Sequence, residues 1–290
     1  MDLGFLSFLA EPGFVLPWYA VGLLGAGWVV HDTRRVNTQV KPVMKWAWPL
    51  IVLFLSVFGL AVYLWSSRPP AAGARQGHAA RDAYDAYAET MPRRVMGSVI
   101  HCVAGDGLGI ITAMVAARLL GLSFWQEFWF EYAVGFAFGW FIFQYKAMRG
   151  MADSALQALW MGGRAEFFSM MTVMAGMGAV MAWVTPLVVG QQPRPDTWAF
   201  WGFAMLGLLV GFVATYPMNW ALVRLGWKHG LGHHPPPTSR GNGQGGLAWR
   251  VAVMATAGVA ALAVPGVLFE VHEGRPLALA SSALPEGSGG

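Results

Sequence analysis

At 290 residues, with 56% hydrophobic and only 12% charged side chains, the chain carries about half the charge of an ordinary soluble domain, too little to clothe a water-facing surface. A single cysteine, Cys102, excludes an internal disulfide and any multi-cysteine zinc or iron–sulfur site. The net charge of +4 does not signal nucleic acid, because Lys and Arg fall in short loops between apolar segments, where they orient helices in a bilayer.

These features predict an all-α, polytopic transmembrane helical bundle of about seven spans, each needing ~20 mainly apolar residues. The first, Gly13–Val30, reads as a retained helix, since no basic stretch or small-residue cleavage site marks a removable signal; with its basic loop it makes up residues 1–45. Residues 46–229 form the membrane core. Its opening span, Trp46–Trp65, has aromatic residues at both ends, where amphipathic rings prefer the interface. A polar loop over residues 66–94 follows, with a short surface helix expected around Asp82–Thr90.

The third span, Val95–Leu120, contains HCVAGDGLG. Cys102 and Asp106 lie four apart and share a helix face, with His101 adjacent. Gly105, Gly107 and Gly109 thin this helix so that another backbone can approach. A thiol, an imidazole and a carboxylate on one stretch suit a soft-metal or proton site; the alternative is close packing, with Asp106 bonded to a neighbouring helix. An ionisable side chain at mid-membrane costs at least ~2.5–3.5 kcal/mol unless it finds a partner or a wet cavity, so these residues need a reason to be there.

The fourth span, Phe128–Tyr145, begins close to Glu127 and Glu131, and its Gly135 and Gly139 form a GxxxG contact motif. Glu127 is expected among headgroups, and Glu131 just inside, paired with Arg118 or Arg164. In the fifth span, Phe167–Val189, a stripe of Met170, Met174, Met177 and Met181 follows Glu166 within an arc of roughly 80°. Thioether sulfur suits Cu(I), whereas a methionine stripe more often fills gaps between helices. The sixth span, Trp198–Val223, contains Pro217, which frees a carbonyl and predicts a kink, and Asn219, which can bond across helices. His229, His233 and His234 cluster loosely just beyond it and read as a solvated loop. Residues 230–246 are too rich in Gly and Pro to pack and read as a linker; residues 247–290 hold the seventh span, Leu247–Phe269, and a disordered tail. Twelve of the nineteen Lys and Arg residues lie on the side of the even-numbered loops, which leans the N-terminus toward the cytoplasm, although the first loop argues the other way.

The segments KPVMKWAWPLIVLF, HCVAGDGLG, FEYAVGFAFGWFIFQY, EFFSMMTVMAGMGAVMA and GFVATYPMNWALVRLGWKHG, over about Lys41 to Gly232, together resemble the bacterial membrane proteins of domain-of-unknown-function family 4396. The resemblance implies a multi-pass protein of the bacterial cytoplasmic (inner) membrane with no established activity, and an association with copper handling. It also implies that the acidic position held here by Glu166 is Asp in many relatives, which keeps the charge and changes its reach.

The function expected from these residues is a permease or relay for a soft metal cation, with a copper ion, Cu(I), favoured as its cargo. His101, Cys102, Met170, Met174 and Met177 would be metal ligands, and Asp106, Glu131 and Glu166 would compensate charge or move protons. Two alternatives remain at this stage: a non-catalytic scaffold, assembly factor or accessory subunit, and a proton-coupled solute carrier with Asp106 as the coupling carboxylate. The partners expected are the lipid bilayer, a metal ion, and a membrane protein or a second copy of the chain, with no nucleic acid. No P-loop, dinucleotide-binding, HExxH or GxSxG motif is present, and nothing argues for an enzyme.

Overall fold

A computed structural model describes residues 3–70, 72–74, 77–149, 152–228, 230–232 and 244–282, and among them every regular element is helical. A 3-10 turn, Gly4–Ala10, precedes α1 (Pro12–Arg35) and α2 (Met44–Ser66). The polar loop carries α3 (Gly77–Ala88), at the place where a short helix was expected. Then come α4 (Met91–Leu120), α5 (Phe124–Ala137), a π-helical segment Phe138–Gln144 and α6 (Tyr145–Arg149). After these, α7 (Ala155–Ala179) passes through a second π segment, Val180–Val184, into α8 (Thr185–Val189). α9 (Trp198–Arg224) and α10 (Gln244–Ser282) complete the order.

The helix boundaries follow local chemistry. α4 opens with Pro92 in its first turn, where a missing amide costs nothing, and closes on Gly121 at φ 67°, whose amide meets the carbonyls of Ala117 and Arg118. Two residues on, Ser123 and Gln126 form a capping box that starts α5. Ser154 caps α7 by accepting from the Gln157 amide at 3.1 Å, and Thr197 caps α9 in the same way. α2 is interrupted at Ser56 (φ 47°), whose hydroxyl donates to the Trp18 carbonyl of α1 at 2.8 Å.

Six helical stretches are long and apolar enough to cross a membrane: Pro12–Arg35, Met44–Ser66, Met91–Leu120, Ala155–Val189, Trp198–Arg224 and Ala248–Val271. The chain is therefore a multi-pass integral membrane protein in contact with lipid. The fourth expected span, Phe128–Tyr145, is the exception. It lies in the succession α5, π segment, α6, and Glu131, Gln144 and its Trp and Tyr rings make it less apolar than the other six. The expected fifth span begins earlier than its apolar run suggests, because Ser154 starts the helix well before Phe167. α10 continues past the expected end at Phe269 to Ser282.

α4 is the hub. Its most apolar window is 78% buried, against 28% in α1 and 22% in the last span, so α4 is surrounded by protein while the other two face lipid. The close crossing of α4 and α5 rests on glycine. A Cβ on Gly105 would fall 2.9 Å from the Gly139 Cα, and one on Gly109 would fall 2.8 Å from the Gly135 Cα. The glycine face of the third expected span and the GxxxG motif of the fourth are thus the two halves of one contact. α7 crosses α9 by the same means at Gly176 and Gly211.

Candidate functional site

Four helices aim polar side chains at one point inside the bundle. α4 supplies Ser98, Cys102 and Asp106, spaced by four and so on one face. α7 supplies Glu166, Ser169 and Thr172, α9 supplies Thr215 and Asn219, and Gln144 comes from the end of the first π segment. All are buried. The last member arrives by a turn. After α9 the chain reverses through Gly226 (φ 72°), with the amides of Trp227 and Lys228 both donating to the Leu222 carbonyl. This sends the Lys228 side chain, 1% exposed, back into the bundle.

Lys228 Nζ donates to Glu166 Oε2 at 3.0 Å and to Ser169 Oγ at 2.8 Å. Ser169 Oγ lies 2.6 Å from Cys102 Sγ, and the Cys102 thiol donates to Asp106 Oδ2 at 2.9 Å. With the ammonium at one end and a carboxylate at the other, the direction is fixed: Lys228 donates to Ser169, Ser169 to Cys102, and Cys102 to Asp106. Gln144 Nε2 also donates to Glu166 Oε2, at 2.7 Å. Around this line, Ser98 donates to Asn219 Oδ1 at 2.7 Å and Thr172 to Thr215 at 2.9 Å, so the flanking hydroxyl and amide groups partner one another.

Two carboxylate oxygens of the cluster are left over. Asp106 Oδ1 and Glu166 Oε1 are buried with no hydrogen-bond donor. Both crowd the position that a methyl group would take on Gly139, so the absent side chain is what gives them room. Two carboxylates and one ammonium in a water-excluded site leave one negative charge unmatched, and facing carboxylate oxygens repel. One positive charge between them, a proton or a metal ion, resolves both problems. Cys102, Asp106 and Glu166 also form a candidate metal group, with one ligand atom of each within 4.8 Å of the others.

A cavity of about 750 Å³ opens beside this cluster, and Lys228, Gln144 and Ser98 stand in its wall. His101 also lines it, packed edge-to-face on Phe143 at 5.8 Å. Lys41, which precedes α2, reaches the Gly230 carbonyl at 3.3 Å. Burial holds the Lys41 ammonium below the ordinary lysine range, and Asp85 opposes the shift.

The structure thus joins Cys102, Asp106 and Glu166 and sets His101 on the adjoining cavity wall. Met170, Met174 and Met177 are fully buried in the apolar core. The Met170 methyl sits against Gly135, and Met177 packs near Gly207 and Gly211, which is the gap-filling use of methionine. Glu131 is buried, but the expected pairing is corrected: Arg118 donates to Glu127 at 2.6 Å, and Arg164 lies over the Trp227 ring at 4.5 Å. Glu127 is itself 6% exposed, covered by protein where it takes the Arg118 contact. Pro217 sits inside α9, which continues helical through it to Arg224. His229, His233 and His234 lie outside the described residues.

Sequence reasoning missed Lys228 and Ser169. Lys228 was counted as a loop charge; the signal was Gly226, a helix-ending residue that can reverse the chain so that the next side chains point inward. Ser169 lies three residues after Glu166 and so on its face, hidden among the methionines.

Residues 92–228 match the family model "Domain of unknown function (DUF4396)", which begins after α2, so KPVMKWAWPLIVLF lies outside the matched region. No curated protein and no solved structure matches the chain.

Proposed function

From the premise that residues 92–228 belong to the DUF4396 family, which supplies no activity, we propose that the chain is a proton-coupled solute carrier whose coupling site is the Lys228–Ser169–Cys102–Asp106–Glu166 cluster. The observation that carries this reading is the one-way line of donors from Lys228, in the cavity wall, to Asp106, whose other oxygen faces Glu166. A proton entering from the cavity displaces one along the line. The Cys102 thiol passes its proton to Asp106, Ser169 restores the thiol, Lys228 restores the hydroxyl, and cavity water restores the ammonium. A turn of the Asp106 carboxyl then carries that proton from the Cys102 side to the Glu166 side, where Asp106 shares it with Glu166 Oε1. When the shared proton rests on Glu166, the remaining negative charge lies on Asp106, and Lys228 loses its direct ion pair, so its ammonium becomes available to a solute in the cavity. A cavity of about 750 Å³ is the size of a small-molecule site.

A second reading, a relay for a soft metal cation such as Cu(I), is favoured by the Cys102–Asp106–Glu166 group, in which a metal would replace the thiol proton and the shared proton. The lysine-lined cavity weighs against it, because Lys41, Lys146 and Lys228 repel a bare cation on that approach.

One pair of variants separates the readings. Cys102→Ser keeps a hydroxyl donor in the line and removes the soft ligand, whereas Cys102→Ala breaks both. Proteoliposomes containing a pH dye are given an acid-outside gradient and a panel of small anions, cations and neutral solutes. Solute-dependent internal acidification is expected in the wild type and in Cys102→Ser, and not in Cys102→Ala or Asp106→Asn. The proposal falls if no solute moves protons while the wild type, but not Cys102→Ser, retains about one Cu(I) per chain on dialysis.

A further inference from the structure

The cavity has a polarity of its own. Among the described residues its charged lining consists of three lysines, Lys41, Lys146 and Lys228, with no carboxylate beside them. Lys41 precedes α2 and Lys146 lies in α6, so these two belong to the helix ends, where a bilayer has its headgroups. Elsewhere the wall turns apolar, with Leu50 on α2, Leu108 near the middle of α4 and Ile142 in the π segment. Ile142 is 40% exposed and Trp46 is 68% exposed, so this wall continues onto the lipid-facing surface. Between the charged end and the apolar end stand His101, Ser98 and Gln144.

The geometry points to an amphipathic organic anion as the cavity's ligand: an acidic head held by Lys41 and Lys146, with a single hydrocarbon tail along Leu50, Leu108 and Ile142. This rests on the carrier reading above and names its substrate class. A head seated there lies on the same wall as Lys228, whose ammonium is tied to Glu166 until that carboxylate is neutralised. Protonation of the cluster would then add a third cationic contact to the head, which couples anion binding to proton uptake through one residue. A basic pocket between spans with an apolar flank is also how proteins hold acidic lipid headgroups, so the bilayer itself is the competing source of the same chemistry. Buried Met44, Phe143 and Met148 also line the cavity and add apolar surface for the tail.

The test uses the full chain in nanodiscs of zwitterionic lipid, with decanesulfonate as probe, because a sulfonate carries no proton that could cross on its own. Decanesulfonate is expected to bind saturably, methanesulfonate and decyltrimethylammonium not to. Lys41→Gln and Lys146→Gln are each expected to weaken binding about tenfold, the size of one charge-assisted hydrogen bond. Ile142→Trp, which keeps every charge and fills the apolar end, is expected to weaken decanesulfonate in the same range. Equal binding of the cationic amphiphile, or decanesulfonate affinity unchanged in both lysine variants, would overturn the inference. So would native mass spectra showing a tightly held acidic phospholipid that decanesulfonate does not displace. If decanesulfonate binds as described while Asp106→Asn leaves proton movement intact, the anion site stands and the coupling reading fails. If Asp106 governs proton uptake and no sulfonate binds, the reverse holds.

Discussion

Two buried acidic groups in this bundle have opposite surroundings. At the end of α1, Asp32 is 2% exposed, and each of its oxygens has a donor: Tyr63 at 2.5 Å on Oδ2, and Arg68 Nε at 3.1 and 3.2 Å. Asn37 in turn bonds Tyr63 at 3.2 Å and the Ser67 carbonyl at 2.7 Å, so the cluster fastens α1 to the end of α2 and is closed. Asp106 and Glu166 are as deeply buried, yet each keeps one oxygen without a donor. A closed carboxylate holds helices together. An open pair leaves a place for a charge to come and go.

The sharpest way to test that contrast is to remove the open cluster's cation. Lys228→Ala leaves two carboxylates without a counter-charge and should cost about 3–5 kcal/mol, read as a large fall in melting temperature, with Lys228→Met/Glu166→Gln recovering most of it. In the closed cluster, Asp32→Ala strands the Tyr63 hydroxyl and the Arg68 guanidinium and should cost up to about 3 kcal/mol while proton uptake in vesicles is retained. Gly139→Ala drives a methyl into the space shared by the two open oxygens; about 1–2 kcal/mol of stability and nearly all proton uptake should be lost, and retained uptake would mean that the oxygens need not meet. The smallest stability effect is expected for Asp106→Asn, less than about 1 kcal/mol, because it removes the unmatched charge and leaves Lys228 with Glu166, yet solute-driven proton movement should vanish. Equal stability losses for Asp32→Ala and Asp106→Asn would erase the distinction between the clusters.

Much of this was legible in the chain itself. Period and spacing placed Cys102 and Asp106 on one face, and Gly105, Gly109, Gly135 and Gly139 announced a close crossing. What spacing cannot give is which faces meet. His101 neighbours Cys102 in sequence, but a step of one is about 100° around a helix, and its ring turns to Phe143 and the cavity instead. The methionine stripe has the right period for a ligand ladder and for packing alike, and only the opposing glycines of α5 and α9 reveal the packing. Lys228 was hidden because a basic residue after a span ordinarily marks sidedness. Its role depends on a reversal at Gly226, which no helical period encodes.

The π segment Phe138–Gln144 has an evolutionary corollary. Such a stretch amounts to an inserted residue in an otherwise regular helix. An ancestor one residue shorter would run as ordinary α-helix, with everything beyond the insertion turned by about 100°. Gln144 would then leave Glu166, and Lys146 would leave the cavity. Deleting one residue here would therefore take a donor from the acidic pair and a cation from the vestibule together.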